Sequence, residues 1–338
     1  MRAYGPRRVL ALAACLMAAA SGCTSAVQPL PTKAAAAVTG TPTPSPEEPA
    51  LTKAEAGRVF REITLSDDLL RTRSDVPGRL RSAVELVRDG QAAIVAAAYQ
   101  STGDRPPRHT WGTPMLLVPR FAPGQTALWF TALVTRDGRP TLLTFAKGGA
   151  WQLSSAAELL PGQEPPQVKL DGDGYATALA PDDKTVTISP QFMGPVHAAV
   201  AETGSSGVAA GLIASGPYTT EVATQIAALR DSAKKDGFSY DSIFSPENYP
   251  VYALRTESGG ALIQYSLSRT TTTTAKTAED DYIPVPETAR WAIRSPVLRR
   301  TLRLVETHQY ATAVPPLSSP SPAAVIAHDG ALTRASGQ

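Results

Sequence analysis

From residue 51 onward, apolar positions recur first at helical and then at strand spacing, and the chain does this twice. Ala56, Val59, Phe60 and Ile63 fall on one face of a helix. Thr52, followed three residues later by Glu55, has the capping-box pattern that starts one. A second helix is predicted from near Pro77, presenting Leu80, Ala83, Val84 and Val87. Residues 91–99 fit either a helix or a strand, with Asp89-Gly90 marking a break before them. Alternation then takes over, and strands are predicted over 115–120, 126–135, 141–146 and 150–154. After residue 188 the order repeats. Ser189-Pro190 reads as an N-cap with Pro at the first helical position, opening a helix toward Glu202. "PYTTEVATQIAALRDSAKKDG" is amphipathic, with Val222, Ile226 and Leu229 on one face and Gly237 as its stop. Strands are predicted at 251–256, 261–269 and 297–310.

Helices followed by an antiparallel meander, twice over, make an α+β pattern. Two stretches strengthen the duplication. "PMLLVPRFAPGQTALWF" (114–130) matches "PVYALRTESGGALIQY" (250–265) in its Pro, strand, Arg, Gly turn and aromatic. "TLLTFAKGGAWQLSSA" (141–156) matches "TLRLVETHQYATAVPP" (301–316), with Trp151 and Tyr310 at similar places. The second copy then carries an insertion near 268–295, predicted as a long hairpin or surface loop. The divisions that follow are a first α+β domain over 51–160, a connecting hairpin over 161–188, a second α+β domain over 189–314 and a C-terminal tail over 315–338. Within the tail only 323–327 suggests a strand. The element order resembles tandem cone-shaped domains of the nuclear-transport-factor-2-like or cystatin-like kind. That resemblance implies two similar domains, each with helices on a curved antiparallel sheet.

The first 22 residues differ in kind. Arg2, Arg7 and Arg8 precede the apolar run "VLALAACLMAAA", which is shorter than a membrane-spanning helix and fits a secretory signal. It ends in Ala20-Ser21-Gly22-Cys23. This resembles the lipobox of bacterial lipoproteins, with Ala20 where that family prefers Leu. The resemblance implies a signal peptide over 1–22, cleavage before Cys23 and lipidation of Cys23. The mature chain would then sit on the extracytoplasmic face of the cell membrane. Arg7-Arg8 followed by Val9-Leu10 is a weak twin-arginine signal, and paired arginines are common in any such region, so the general secretory route is the expected one and the twin-arginine route the alternative. Residues 23–50 then read as the lipidated Cys and a Pro/Thr/Ala-rich tether of extended, polyproline-like geometry. The whole layout, with "LDGDGYATAL" and "SPQFMGPVHAAV", resembles a group of uncharacterised actinobacterial lipoproteins and implies no particular activity.

Cysteine and charge narrow the chemistry. The chain has two Cys, Cys15 and Cys23. Cys15 would leave with the signal and Cys23 would carry lipid, so no disulfide, Cys-ligated zinc or catalytic thiol is expected. Residues 1–22 hold three Arg and no acid, which leaves 29 basic and 30 acidic side chains in the mature chain. That balance gives no electrostatic reason to expect nucleic acid as a partner. The expected partners are the membrane, through the lipid on Cys23, and an unidentified protein or small-molecule ligand.

Motifs for catalysis are incomplete. Asp171, Asp173, Asp182 and Asp183 cluster in "LDGDGYATALAPDD", but Tyr175 and Ala176 stand where a calcium loop needs a ligand and a Gly, so a turn is predicted. Ser232 and Lys235 have Ser-x-x-Lys spacing without its companion motifs. "TGSSGVAAG" (203–211) is not a nucleophile elbow. His109, His197, His308 and His328 are dispersed, with no ligand pair at helix or strand spacing. No catalytic residue, metal site or cofactor is therefore predicted. Trp111, Trp129, Trp151, Trp291, Phe130 and Tyr265 read as core or hairpin packing, with a cavity under the helices of a cone-shaped fold as the place for a ligand. Two functions remain: a lipid-anchored, non-enzymatic binding module, or an envelope hydrolase using dispersed acids such as Asp280, Asp281 and Glu287. Cys23→Ala is expected to release the chain from the membrane fraction and leave the precursor uncleaved. Fractionation and the mass of the product check this.

Overall fold

The computed structural model describes residues 49–73, 75–276 and 282–338. The signal, Cys23 and most of the tether lie outside the described residues, as do Asp280 and Asp281. Among the described residues no helix is long and apolar enough to cross a membrane.

The fold is α+β with one mostly antiparallel sheet and few helices. The first half holds α1 (Lys53–Thr72), α2 (Arg79–Glu85) and α3 (Asp89–Ser101). The strands β1 (Met115–Leu117), β2 (Trp129–Arg136), β3 (Arg139–Lys147) and β4 (Trp151–Leu159) follow. The second half has α4 (Met193–Thr203) and α5 (Thr220–Lys235), then β5 (Phe238–Pro246), β6 (Tyr252–Arg255) and β7 (Ala261–Ala275). A small hairpin of β8 (Ile283–Pro284) and β9 (Val297–Leu298) comes next, then β10 (Thr301–Val314) and β11 (Ala324–Gly337).

The local rules explain the helices. Thr52 accepts the Glu55 N–H at 3.1 Å, and Ala56, Val59, Phe60 and Ile63 are all buried. The ambiguous stretch at 91–99 is helix, and the predicted break before it is Asp89, at φ 51°. Gly90 is required by packing. A Cβ there would sit 3.1–3.3 Å from Ser266 Oγ, Gln309 Nε2 and Thr307 Cγ2. On α5, Val222 and Ile226 are buried, but Leu229 is exposed.

Strand order in the large sheet is β1-β2-β3-β4-β11-β10-β7-β5, with β6 also on β7. Each half is a meander, and the two meet last strand to last strand. The joint is thin, because β4 and β11 pair only at Leu159↔Ala327 and Glu158↔His328. Above it, a side chain takes the place of a strand. Gln309, fully buried on β10, accepts the Ala156 N–H at 2.8 Å and donates to the Ser154 carbonyl at 3.1 Å.

The sheet also folds over at this joint. Four strands separate β2 from β7, yet Gln264 on β7 donates to Thr131 Oγ1 at 2.9 Å. Thr131 in turn bonds Thr144 Oγ1 at 2.9 Å. Leu142 and Ala157 from the first half pack there with Leu262, Ala311, Ile326 and Ala327 from the second. The outer face of β2–β3 carries Phe130, Ala132, Leu143 and Phe145 under α1, and the outer face of β7 and β10 carries Ile263, Tyr265, Leu267 and Tyr310 under α4 and α5. The inner strands are buried on both sides, so burial is unbroken along 141–146 of β3 and 261–268 of β7, polar Thr144 and Gln264 included.

Several expectations need correction. The C-terminal tail is β11, which pairs with β10 over twelve positions. Its apolar signal is weak because Ala supplies much of it and His328-Asp329-Gly330 interrupts it. The edge strand β5 was not predicted either, because three Ser, Asp241 and a terminal Pro weaken its apolar signal. The segment 268–295 is an extension of β7 followed by a hairpin whose Ile283, Val285, Ala289 and Ile293 pack on Leu298 and Leu302, so it has its own small core. Trp151 opens β4 whereas Tyr310 lies within β10, so those two are not equivalent positions. The described residues form one compact unit in which a single large sheet runs through both halves, rather than two separately closed sheets.

Gln309→Leu would strand the Ala156 N–H and the Ser154 carbonyl in the interior. Its expected cost is about 2–4 kcal/mol of stability, read as a lowered urea midpoint with unchanged slope.

Candidate functional site

The segment 167–179 is a strap that ties the two halves together. Glu257 N–H donates to the Gln167 carbonyl and Lys169 N–H to the Arg255 carbonyl, both at 2.9 Å. Ala176 then turns to the first half, donating to the Val118 carbonyl at 2.8 Å and accepting the Arg120 N–H at 3.0 Å. Thr177 and Leu179 return to the second half, to Arg255 and Ala253. The predicted connecting hairpin reduces to the single bridge Leu170↔Ala176.

The acidic cluster is the clamp of this strap. Asp171 Oδ1 accepts the Asp173 and Tyr175 N–H groups at 3.0 and 2.9 Å, an Asx-turn arrangement. Arg120 reaches Asp171 through Nε and Asp173 through Nη2, each at 2.6 Å, and its guanidinium lies 4.6 Å from the Tyr175 ring centre. The Arg120 hydrogen bond, with help from the Tyr175 N–H, holds the Asp171 carboxyl far below the usual range. The Asp-Gly pairs form the expected turn, and both of its carboxylates are occupied by Arg120, a partner the sequence reading did not name.

Between the strap, β1–β2 and β6 lies an open groove of about 610 Å³. Its aromatic wall is Trp129, which packs on Tyr252 at 5.1 Å and edge-on to Phe121 at 6.2 Å. Gln125, Ala127 and the backbone of 176–181 complete it, with the Arg120–Asp171 pair at its rim. Tyr252 donates to Ser154 Oγ at 3.0 Å, and Ser154 donates to Asp89 Oδ2 at 2.5 Å, so the groove floor is tied to α3. Burial pushes the Tyr252 hydroxyl up to about 12. The groove therefore offers a ring face and hydrogen bonds, with no poised base. Its volume lies within the range of small-molecule sites.

The expected cavity under α1–α3 is nearly filled. Ile63, Val95, Trp111, Leu143, Phe145 and Leu153 leave about 30 Å³ there, room for little more than water. Trp151 donates to Glu55 Oε1 at 3.3 Å, Phe130 and Tyr265 are core, and Trp291 is half-buried near the β8–β9 hairpin. Ser232 and Lys235 are exposed in the last turns of α5, and Glu287 pairs with Arg290 at 3.3 Å.

Sequence spacing missed one cluster entirely. Three of the four His meet between α4, β7, β10 and β11. His308 Nδ1 and His328 Nε2 share a hydrogen bond at 2.9 Å. His197, fully buried, bonds Tyr265 OH through Nδ1 and the Tyr218 carbonyl through Nε2, both at 2.7 Å. Tyr310 lies 4.5 Å from His197 and 4.9 Å from His328, and Tyr218 stacks on His328 at 4.0 Å. The imidazoles bond to neighbours and to each other, and among the described residues no three His, Asp or Glu form a ligand set. His308 and His328 lie on adjacent strands, twenty residues apart, so only strand pairing could have revealed them.

Burial holds His197 and His328 at about 4. It holds His308 at about 3, where His328 and Arg269 add to it. His308 is therefore neutral, and its 3.9 Å approach to Glu306 is not an ion pair at neutral pH.

A folded, strap-bound α+β body with a groove at its joint is the class these features define. The chain belongs to the family described as domain of unknown function DUF8094, whose model matches residues 47–337. It is 29% identical to an uncharacterized lipoprotein of Streptomyces coelicolor over 98% of this chain and 95% of that protein. An uncharacterized lipoprotein of Streptomyces avermitilis is 32% identical over 40% of each chain. No solved structure matches.

The histidine cluster sets a pH dependence. The unfolded chain binds protons below about pH 6.5 that the folded cluster refuses until about pH 4, so stability falls as pH drops through that window. The expected loss between pH 7 and pH 5 is a few kcal/mol. His328→Leu removes about a third of it and leaves the share of His197 and His308, as measured by urea midpoints at each pH.

Proposed function

We propose that this chain is a lipid-anchored cell-envelope protein that binds a ligand or partner protein without chemical turnover. The lipobox-like Ala20-Ser21-Gly22-Cys23 and the lipoprotein names of its relatives support the anchor. Residues 23–50 are read as the tether, and the extracytoplasmic face of the membrane is the location this implies. The observation that carries the binding reading is the groove at Trp129, built jointly by both halves and bounded by groups already committed to structure. The matching element order of the halves supports descent from two similar domains, each of the cone-shaped, nuclear-transport-factor-2-like or cystatin-like kind. They would meet through their last strands in a mirrored arrangement.

The test is a thermal-shift screen of oligosaccharides and short peptides, run beside ester, peptide and phosphoester turnover assays. The exposed Ala127 lines the groove, and Ala127→Trp fills it without touching the core. A stabilising ligand that loses about tenfold or more of its affinity in Ala127→Trp is expected, with no turnover. Turnover abolished by changing one Asp, Glu or Ser would establish a hydrolase instead.

A further inference from the structure

The far end of the β10–β11 ribbon collects cations. "RWAIRSPVLRRTLR" (290–303) contains five Arg and no acid. Arg290 is paired with Glu287, and the Arg299 guanidinium lies 5.4 Å from the Tyr282 ring centre. Arg303 on β10 and Arg334 on β11 are different. Arg303 stands opposite Ser336 and Arg334 opposite Val305, which makes the two arginines diagonal neighbours on one face of the ribbon. Both are exposed, and the ion pairs of this region among the described residues leave both out. Like charges set side by side on a sheet repel, so this pair adds nothing to the fold.

A cleft of about 320 Å³ opens over them, bounded by Trp291, Gln100, Thr333 and Ser336. On the other side of Trp291 a second cleft of about 460 Å³ reaches Tyr99 and Asp104. Tyr99 is fully buried, and its hydroxyl has no hydrogen-bond partner among the described residues. Two exposed guanidiniums without an ion-pair partner among the described residues and the Trp291 indole thus line one cleft beside Gln100, at the C-terminal end of α3. Guanidinium forks match the oxygens of phosphate in a bidentate manner, and an indole accepts a flat or apolar remainder.

We propose that this cleft binds a phosphate-bearing ligand, with the phosphate between Arg303 and Arg334 and the rest of the molecule on Trp291. The phosphate belongs either to a free phosphorylated compound or to the headgroup of an anionic lipid. The site is separate from the Trp129 groove.

The experiment uses the full-length chain carrying Cys23→Ala. Inorganic phosphate and pyrophosphate are titrated at constant ionic strength against chloride, with melting temperature and tryptophan fluorescence as readouts. A saturable rise in melting temperature is expected with pyrophosphate but not with chloride. Arg303→Gln combined with Arg334→Gln is expected to weaken it roughly tenfold or more. These are exposed positions, and far-UV circular dichroism and an unchanged melting temperature without ligand confirm that the double variant folds. Sedimentation with phosphatidylglycerol vesicles, absent with phosphatidylcholine and lost in the double variant, identifies a lipid headgroup. Pyrophosphate binding without sedimentation identifies a free ligand. No saturable shift with either anion, or the same shift in the double variant, overturns the proposal.

Discussion

One buried amide joins the two halves of this molecule. Antiparallel β4 and β11 share only two register pairs, so the last strands of the meanders barely form a ladder. Gln309 supplies what is missing. Its carboxamide turns one N–H and its carbonyl oxygen to the seam as a peptide group does, and it bonds Ser154 and Ala156 as a neighbouring strand would. A hydrophobic residue there would leave two buried backbone groups unpaired, which outweighs the apolar area gained. The same joint lets the sheet fold over, bringing Gln264 onto Thr131 and stacking Leu142 on Leu262 and Ala311.

Folding at that joint creates the groove. Its Trp129 wall comes from the first half and its Tyr252 wall from the second, and the two rings touch only because the sheet is doubled. The strap fixes the remaining side. Arg120 binds both acids of "DGDG", Ala176 bonds Val118 and Arg120 of the first half, and Thr177 and Leu179 bond Arg255 and Ala253 of the second. Acids that resemble a cation site in sequence are therefore consumed in holding the groove's rim. The Tyr252–Ser154–Asp89 chain extends the same logic, linking groove, seam and helix α3 through two hydrogen bonds.

How much of this was legible depended on the range of each interaction. The caps at Thr52 and Gly237, the helix faces and the strands β2, β3 and β7 follow from local periodicity. The turn at Asp171 followed from its Asp-Gly pairs. The strand β11 was hidden because its long pairing with β10 compensates for a composition of Ala, Thr and Ser. The histidine cluster was hidden for a related reason: β10 and β11 bring His308 and His328 together, while α4 adds His197 from more than a hundred residues away. The helix-roofed cavity was a consequence of fold resemblance, and the side chains of Trp111, Phe145 and Leu153 close it. The groove lies instead where the halves meet, a place that no reading of either half alone predicts.

The central claim is that the halves are one cooperative body, because the seam and strap span both. Equilibrium urea unfolding measures this directly, with tryptophan fluorescence reporting mainly the first half and far-UV circular dichroism reporting both. Trp111, Trp129 and Trp151 lie in the first half, and Trp291 in the second. The account predicts a single transition, with the two signals coincident. Two separated transitions, with fluorescence changing while half of the dichroism signal persists, would contradict it.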